Sequence, residues 1–219
     1  PIIEELYKRV KLRYCPVDIS SYMVTKAIDK ITRLNKGEVV QFQWNISDLD
    51  NLENVASLLR NGQFRQNFLV FLGSTLSNFE MHEVLYEIME AMESSEDYLM
   101  MGVALTNAKP EDIVRSYKQS LTDNFLLKVL TQIGFKREDV EFGVRYKNSR
   151  VEIYYTLLRD TRLAFGDRSV AFTKGDQILV AVSYRYNESE LKKSIRLYFK
   201  NTKFYLNDDK TWCLILCKK

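Results

Sequence analysis

The sequence predicts an α/β protein built on a doubly wound, mainly parallel sheet, with a β-rich segment inserted late in the chain. Three observations lead there. Strand-like runs at residues 12–17, 38–44, 68–72 and 98–105 alternate with stretches of helical periodicity, joined by short connections. Residues 68–72 are five consecutive apolar side chains ending abruptly at Gly73, the pattern of a strand buried on both faces. Between residues 140 and 186 the helical period all but vanishes and β-formers separated by turn residues take over.

Residues 1–10 read as an amphipathic helix, with Ile2, Ile3, Leu6, Tyr7 and Val10 on one side and Glu4, Glu5, Lys8 and Arg9 on the other. It starts without a cap, so the expectation is that a segment precedes it. Asp18 ends the strand at 12–17. Ser20 or Ser21 then caps a helix carrying Val24, Ala27, Ile28, Ile31 and Leu34, which Lys36-Gly37 terminates. A strand at 38–44 and a short helix at 52–59 precede the strand at 68–72. Ser77 and Glu80 have the spacing of a capping box for a helix at 81–93, whose apolar stripe is Val84, Leu85, Ile88, Met89 and Met92. After the strand at 98–105, Pro110 suits the first turn of one long helix reaching about residue 133. Strands at 142–146, 151–158, 169–172 and 177–186 follow, then a helix at 188–198 and a hairpin of 203–206 with 212–216. The expected division is a core over 1–135, a β-rich lobe over 136–186, and a C-terminal helix and hairpin over 187–219.

Composition narrows the function. A formal charge of +3, with Lys and Arg scattered among the acids, gives little support to nucleic-acid binding. No apolar run approaches the roughly 20 residues that span a bilayer, and three cysteines without a CxxC pair suggest reduced thiols in the cytoplasm. A single histidine, His82, leaves little material for His-dependent triads or His-rich metal sites, so no catalytic nucleophile and no metal are expected.

In an open α/β sheet, ligands collect beyond the carboxyl ends of the strands. Asp18, Asn45, Gly73-Ser74, Asn78 and the segment after Leu105 stand there. Asp18 suits either a helix cap or an acceptor for both hydroxyls of a ribose. Gly73 and the Ser74-to-Asn78 turn suit either a local helix entry or close approach of a ligand to the backbone. Tyr117, Tyr154, Tyr155, Tyr184 and Tyr186 suit either a pocket wall or cross-strand packing.

Several segments occur in the order and spacing of a known family: Tyr14-Cys15-Pro16-Val17-Asp18-Ile19-Ser20, Phe71-Leu72-Gly73-Ser74-Thr75-Leu76-Ser77-Asn78-Phe79, Met101-Gly102-Val103-Ala104-Leu105, Tyr117 with Thr122 and Phe125, and Val182-Ser183-Tyr184-Arg185-Tyr186. In these the chain resembles the histidine-specific S-adenosylmethionine-dependent methyltransferases over nearly its whole length. The resemblance implies a Rossmann-like core, incomplete at the N-terminus because its first strand and glycine-rich cofactor loop are absent from this chain, and a β-rich lobe that closes over an amino-acid substrate. It implies that Asp18 holds the ribose of S-adenosylmethionine, with Asn45 at the adenine and Gly73 and Ser74 beside the cofactor. Asn78 and Tyr117 would bind the α-amino-acid part of the substrate and Ser183 its side chain.

The pattern departs from the family at Ala181, where the family has Glu, at Ala104, where it has Asp, and at Phe125-Leu126-Leu127-Lys128, where it has Phe-Asn-x-Asn. Loss of the acid at 181 removes a partner for an imidazole and argues against histidine as substrate. The implied function is N-methylation of an amino acid or small amine by in-line transfer. The alternative is a catalytically degenerate methyltransferase fold that binds a small molecule or a partner.

Overall fold

The computed structural model describes residues 2–93, 96–107 and 109–219; Pro1, placed by the sequence in the first helix, lies outside them. The elements in order are α1 (Ile2–Tyr7), β1 (Arg13–Tyr14), α2 (Ser21–Leu34), β2 (Glu38–Val39), α3 (Leu52–Leu59), β3 (Phe68–Phe71), α4 (Met81–Ala91), β4 (Tyr98–Ala104), α5 (Pro110–Tyr117), α6 (Ser120–Gln132), β5 (Val140–Lys147), β6 (Arg150–Leu157), β7 (Thr161–Phe165), β8 (Arg168–Phe172), β9 (Gln177–Tyr184), α7 (Glu188–Tyr198), β10 (Asn201–Leu206) and β11 (Trp212–Lys218).

The fold is α/β, but its sheets are mixed where the sequence suggested a mainly parallel one. A four-stranded sheet runs β10-β11-β4-β3. β3 and β4 are parallel in it, and the C-terminal hairpin joins β4 antiparallel through β11. β1 and β2 form a separate parallel pair. The β-rich stretch forms an antiparallel sheet β5-β6-β9 and a ribbon β7-β8.

One face of the four-stranded sheet makes the principal core. Leu99, Met101 and Val103 of β4 alternate inward with Cys213, Ile215 and Cys217 of β11, against Val84, Leu85 and Ile88 of α4 and Leu191 and Ile195 of α7. The other face is open: Phe68 and Val70 of β3 and Trp212 of β11 are each more than a third exposed. The expectation that residues 68–72 are buried on both faces is therefore corrected, because β3 is an edge strand and helices cover one side only. Two further apolar clusters lie under the β-rich sheet, one of Leu130, Phe135, Tyr155 and Leu157, the other of Ile113, Val151 and Ile153.

Local chemistry accounts for the other departures. The strand expected over 38–44 stops at Val39, and Gln43–Asn45 turns as a 3-10 helix around the buried Asn45 side chain. Glu80 itself caps α4, accepting the N–H groups of His82 (2.9 Å) and Glu83 (3.1 Å), while Ser77 belongs to a preceding 3-10 turn, Thr75–Asn78. The single helix expected from Pro110 is two, broken at Lys118 and Gln119. Its halves pack on different clusters, Ile113 against Val151 and Ile153, Leu130 against Tyr155 and Leu157, which a straight rod does not serve.

Candidate functional site

The turn after β3 is held from below. Gly73 and Ser74 both have positive φ, +75° and 60°. Ser74 donates its N–H to Gly102 O at 3.0 Å, and its Oγ accepts the Ala104 N–H at 3.1 Å and bonds Ser77 Oγ at 2.8 Å. A Cβ on Gly102 would stand 3.2 Å from the Leu72 side chain, so the bare residue at 102 lets the two strand ends close. The chain then makes its 3-10 turn and presents Asn78 at the surface.

Asn78 lines a cavity of about 440 Å³ with Tyr117, Thr122 and Ser183 as its polar members and Phe125, Leu126, Ile153 and Ala181 among its apolar ones. The three residues expected at the substrate thus come together, although they belong to the turn after β3, the end of α5 and β9. Tyr117 donates its hydroxyl to Ser183 Oγ at 2.9 Å and accepts a hydrogen bond from the Arg185 guanidinium. Ser183 is buried, and Leu121 and Phe125 stand exposed at the mouth.

The residues expected at the cofactor fall in two places, Asp18 with Asn45 and Gly73 with Ser74. Asp18 N–H bonds Asn45 O at 3.1 Å, and Ser47 N–H bonds Asp18 O at 3.2 Å. Ser20 provides the cap of α2, its side chain accepting the Met23 N–H at 3.4 Å. Asp18 Oδ1 accepts the Ser20 N–H at 2.8 Å and the residue is otherwise exposed. Asn45 differs. It is 2% exposed, its Oδ1 accepts the Phe42 N–H at 2.6 Å, and its Nδ2 donates to Pro16 O at 2.8 Å and Val40 O at 3.3 Å. That amide is spent on the protein, so its work is to staple β1 to the exit of β2. Burial pushes the neighbouring Cys15 thiol up to about 11, partly offset by the Asn45 hydrogen bond, which leaves it an inert thiol.

Of the other tyrosines, Tyr155 is fully buried and donates its hydroxyl to Asp123 Oδ1 at 2.8 Å, while Tyr186 is buried beneath the Leu76 carbonyl. Tyr154 and Tyr184 lie under Arg145 and Arg150. These are packing roles, as cross-strand aromatic residues usually have. His82 is exposed on α4 beside Tyr198, outside the cavity lining. Among the described residues no three His, Cys, Asp or Glu side chains gather to hold a metal ion. Sequence reasoning gave no role to Arg185. The available signal was the two-residue period that sets it on the strand face of Ala181 and Ser183.

A mixed α/β fold in which polar side chains from distant segments converge on one cavity is the arrangement of an α/β protein with a small-molecule site. The chain belongs to the histidine-specific, S-adenosylmethionine-dependent methyltransferase family, whose family model matches residues 1–219. It is accordingly a methyltransferase that takes S-adenosylmethionine as methyl donor. Among solved structures it is similar to the PH0226 protein of Pyrococcus horikoshii OT3, with 12% identity over 100% of this chain and 77% of that one and a TM-score of 0.47. It is also similar to CalS10, an amino pentose methyltransferase of Micromonospora echinaspora, with 8% identity over 99% of this chain and 78% of that one and a TM-score of 0.39. No curated protein matches the sequence.

Proposed function

We propose that the protein transfers a methyl group from S-adenosylmethionine to the nitrogen of an amino acid or small amine bound in the cavity at Asn78. The observation that carries this is the convergence of Asn78, Tyr117 and Ser183 on one cavity whose remaining lining is largely apolar. Asn78 offers a substrate both a donor and an acceptor, and Tyr117 and Ser183 hold it from the opposite wall. Apolar side chains around them exclude water and leave the attacking nitrogen neutral, with its lone pair unspent. Positioning of this kind lowers a barrier by roughly 7 to 11 kcal/mol in the best cases, and the reaction needs no enzymic nucleophile.

The donor set fits the cofactor. An exposed carboxylate at Asp18, with one oxygen engaged locally, suits a ribose diol, and the open backbone at Gly73, where an added Cβ would meet nothing within 4 Å, admits a ligand. When bound, S-adenosylmethionine supplies the electrophilic methyl carbon. Ser74 acts through the backbone, tying the turn to β4, and Asn45 acts by holding Asp18 in place.

We read residues 1–135 as a Rossmann-like core, 136–186 as a substrate lobe and 187–219 as a return to the core. Support comes from α7 and β11 packing with α4 and β4, while β5, β6 and β9 form their own sheet over separate clusters. The unpaired Cys15, Cys213 and Cys217 agree with a cytoplasmic setting, and among the described residues no helix is long and apolar enough to cross a membrane.

Calorimetric titration with S-adenosylmethionine and S-adenosylhomocysteine, followed by a methylation screen over amino acids and amines, tests the proposal. Saturable binding of both and methylation of an amine are expected; binding of neither sinks it. Asp18→Ala should weaken the cofactor by about tenfold or more, the scale of a lost charged hydrogen bond. Asn78→Ala should spare the cofactor and weaken the substrate. Equal small effects on both ligands would remove these two assignments.

A further inference from the structure

Arg185 lies outside the lining of the cavity at Asn78. It borders a separate, smaller cavity of about 210 Å³ with Thr106, Asp112 and Ser116, so whatever it does at the larger one it does through another residue. That residue is Tyr117, half-buried at the end of α5, next to the break at Lys118 and Gln119. Arg185 grips it twice. Its guanidinium donates to the Tyr117 hydroxyl and stands 5.2 Å from the centroid of the Tyr117 ring. Arg185 is anchored in turn by its backbone, whose N–H bonds Ser149 O at 2.8 Å just past the end of β9. Asp112, the carboxylate of the smaller cavity, is engaged with Arg115 at 3.4 Å, so the guanidinium is left to Tyr117.

The chemistry of these three groups sets a direction. A guanidinium has donors only, so the Tyr117 oxygen must accept from it. The phenol has a single proton, and that proton goes to Ser183 Oγ at 2.9 Å. Ser183 is buried, and with its oxygen accepting from Tyr117 its own proton is free to point into the cavity that both residues line. Turned the other way, with Ser183 donating to Tyr117, the same pair would offer the cavity lone pairs. Nothing in the two hydroxyls themselves chooses between these arrangements, since each can donate or accept. Arg185 makes the choice.

We propose that Arg185 is a positioning residue of the substrate site: acting through Tyr117, it fixes the direction of the hydroxyl pair so that Ser183 presents a hydrogen-bond donor to the bound substrate. This rests on the methyltransferase reading above and goes beyond it in one respect. The substrate atom seated against Ser183 is an acceptor, an oxygen or an unprotonated nitrogen, and an ammonium is not accommodated there.

Two measurements on the full chain test this. The tyrosine Fermi doublet in ultraviolet resonance Raman spectra distinguishes a phenol that both donates and accepts from one that only donates, and subtracting the Tyr117→Phe spectrum isolates Tyr117. The parent should show the first state, Arg185→Met the second, and Arg185→Lys, whose ammonium is also donor-only, the first again. The second measurement is methyl transfer to the free amino acids and simple amines of the methylation screen, the fastest of them serving as probe. Arg185→Met should lower kcat/KM by about tenfold, the scale of one hydrogen bond, and Arg185→Lys should restore most of that loss. In a Ser183→Ala background Arg185→Met should cost little more, because the proton it orients is gone. Affinity for S-adenosylhomocysteine should stay at the parent value throughout. An unchanged doublet in Arg185→Met, no recovery with lysine, an undiminished loss in the Ser183→Ala background, or a loss of S-adenosylhomocysteine affinity in Arg185→Met would each overturn the inference and leave the methyltransferase reading standing. A parent that binds no S-adenosylhomocysteine and methylates none of the amines removes both.

Discussion

Asn45 gathers Pro16, Val40 and Phe42 around one buried amide, and deleting it leaves their backbone groups without partners in a site closed to water. Orphaned buried groups are more costly than the bonds themselves are stabilising. Asn45→Ala should therefore cost about 2 to 4 kcal/mol in urea unfolding, whereas Asp18→Ala, at an exposed carboxylate, should leave the midpoint nearly unchanged. Equal stability losses would contradict this division between a buried staple and an exposed carboxylate. The same pair shows what the sequence carries about single residues. Asp18 and Asn45 both read as polar residues at strand ends. What separates them is burial, set by contacts between segments some thirty residues apart, which no local pattern encodes. The substrate roles expected of Asn78, Tyr117 and Ser183 came from family resemblance. Arg185 lay in a recognised segment, but its hydrogen bond to the Tyr117 hydroxyl joins residues 68 apart, and that is a property of the fold.

Elements were legible where their period was long and local: α2, α4, α7 and the strands β4, β6 and β9 fall close to where apolar spacing placed them. β3 shows the limit. Five apolar residues in a row describe a strand buried on both faces and equally a strand with one face open, since the open face differs only in what packs on it. Phe68 and Val70 are 39% and 45% exposed, while Met101, across the ladder from Phe71, is fully buried against α4. Val70→Thr should then change stability by no more than about 0.5 kcal/mol, as an exposed surface change does. Met101→Ala should cost about 2 to 5 kcal/mol through the cavity left behind. Urea melts of the two variants check this, and a comparable loss at Val70 would mean that the outer face is covered in solution. The helix break at Lys118 was invisible for a related reason. No Gly or Pro marks it; two apolar clusters pull the halves apart.

Across the whole molecule, the sheet around α4 and α7 and the sheet of β5, β6 and β9 rest on separate clusters and on different kinds of support. The first is largely apolar, and burial pushes the Cys217 thiol up to about 12 on its inner face; it holds one buried carboxylate, Asp97, bound by Arg60 and by the N–H groups of Asn67 and Glu93 ahead of β4. The second depends on ionised carboxylates. Hydrogen bonds from Arg145 and Arg150 hold Glu152 below its ordinary 4.5, and the Lys136 N–H, with Arg159, holds Asp139 below its ordinary 3.8. Both folded values are depressed, so the unfolded chain takes up protons first as pH falls. The stabilisation is present in full above about pH 4.5 and is lost as pH drops through the folded values. Acid should therefore loosen the β5-β6-β9 sheet before the four-stranded sheet. Hydrogen exchange between pH 6 and pH 3 reads this directly: amides of β6 and β9 should lose protection at a higher pH than those of β4 and β11. Glu152→Gln should lower the protection of β6 at pH 6 and flatten its fall with acid, so that variant and parent converge near pH 3. Convergence is the decisive feature, because a mutation that merely damaged packing would keep the two curves apart at every pH.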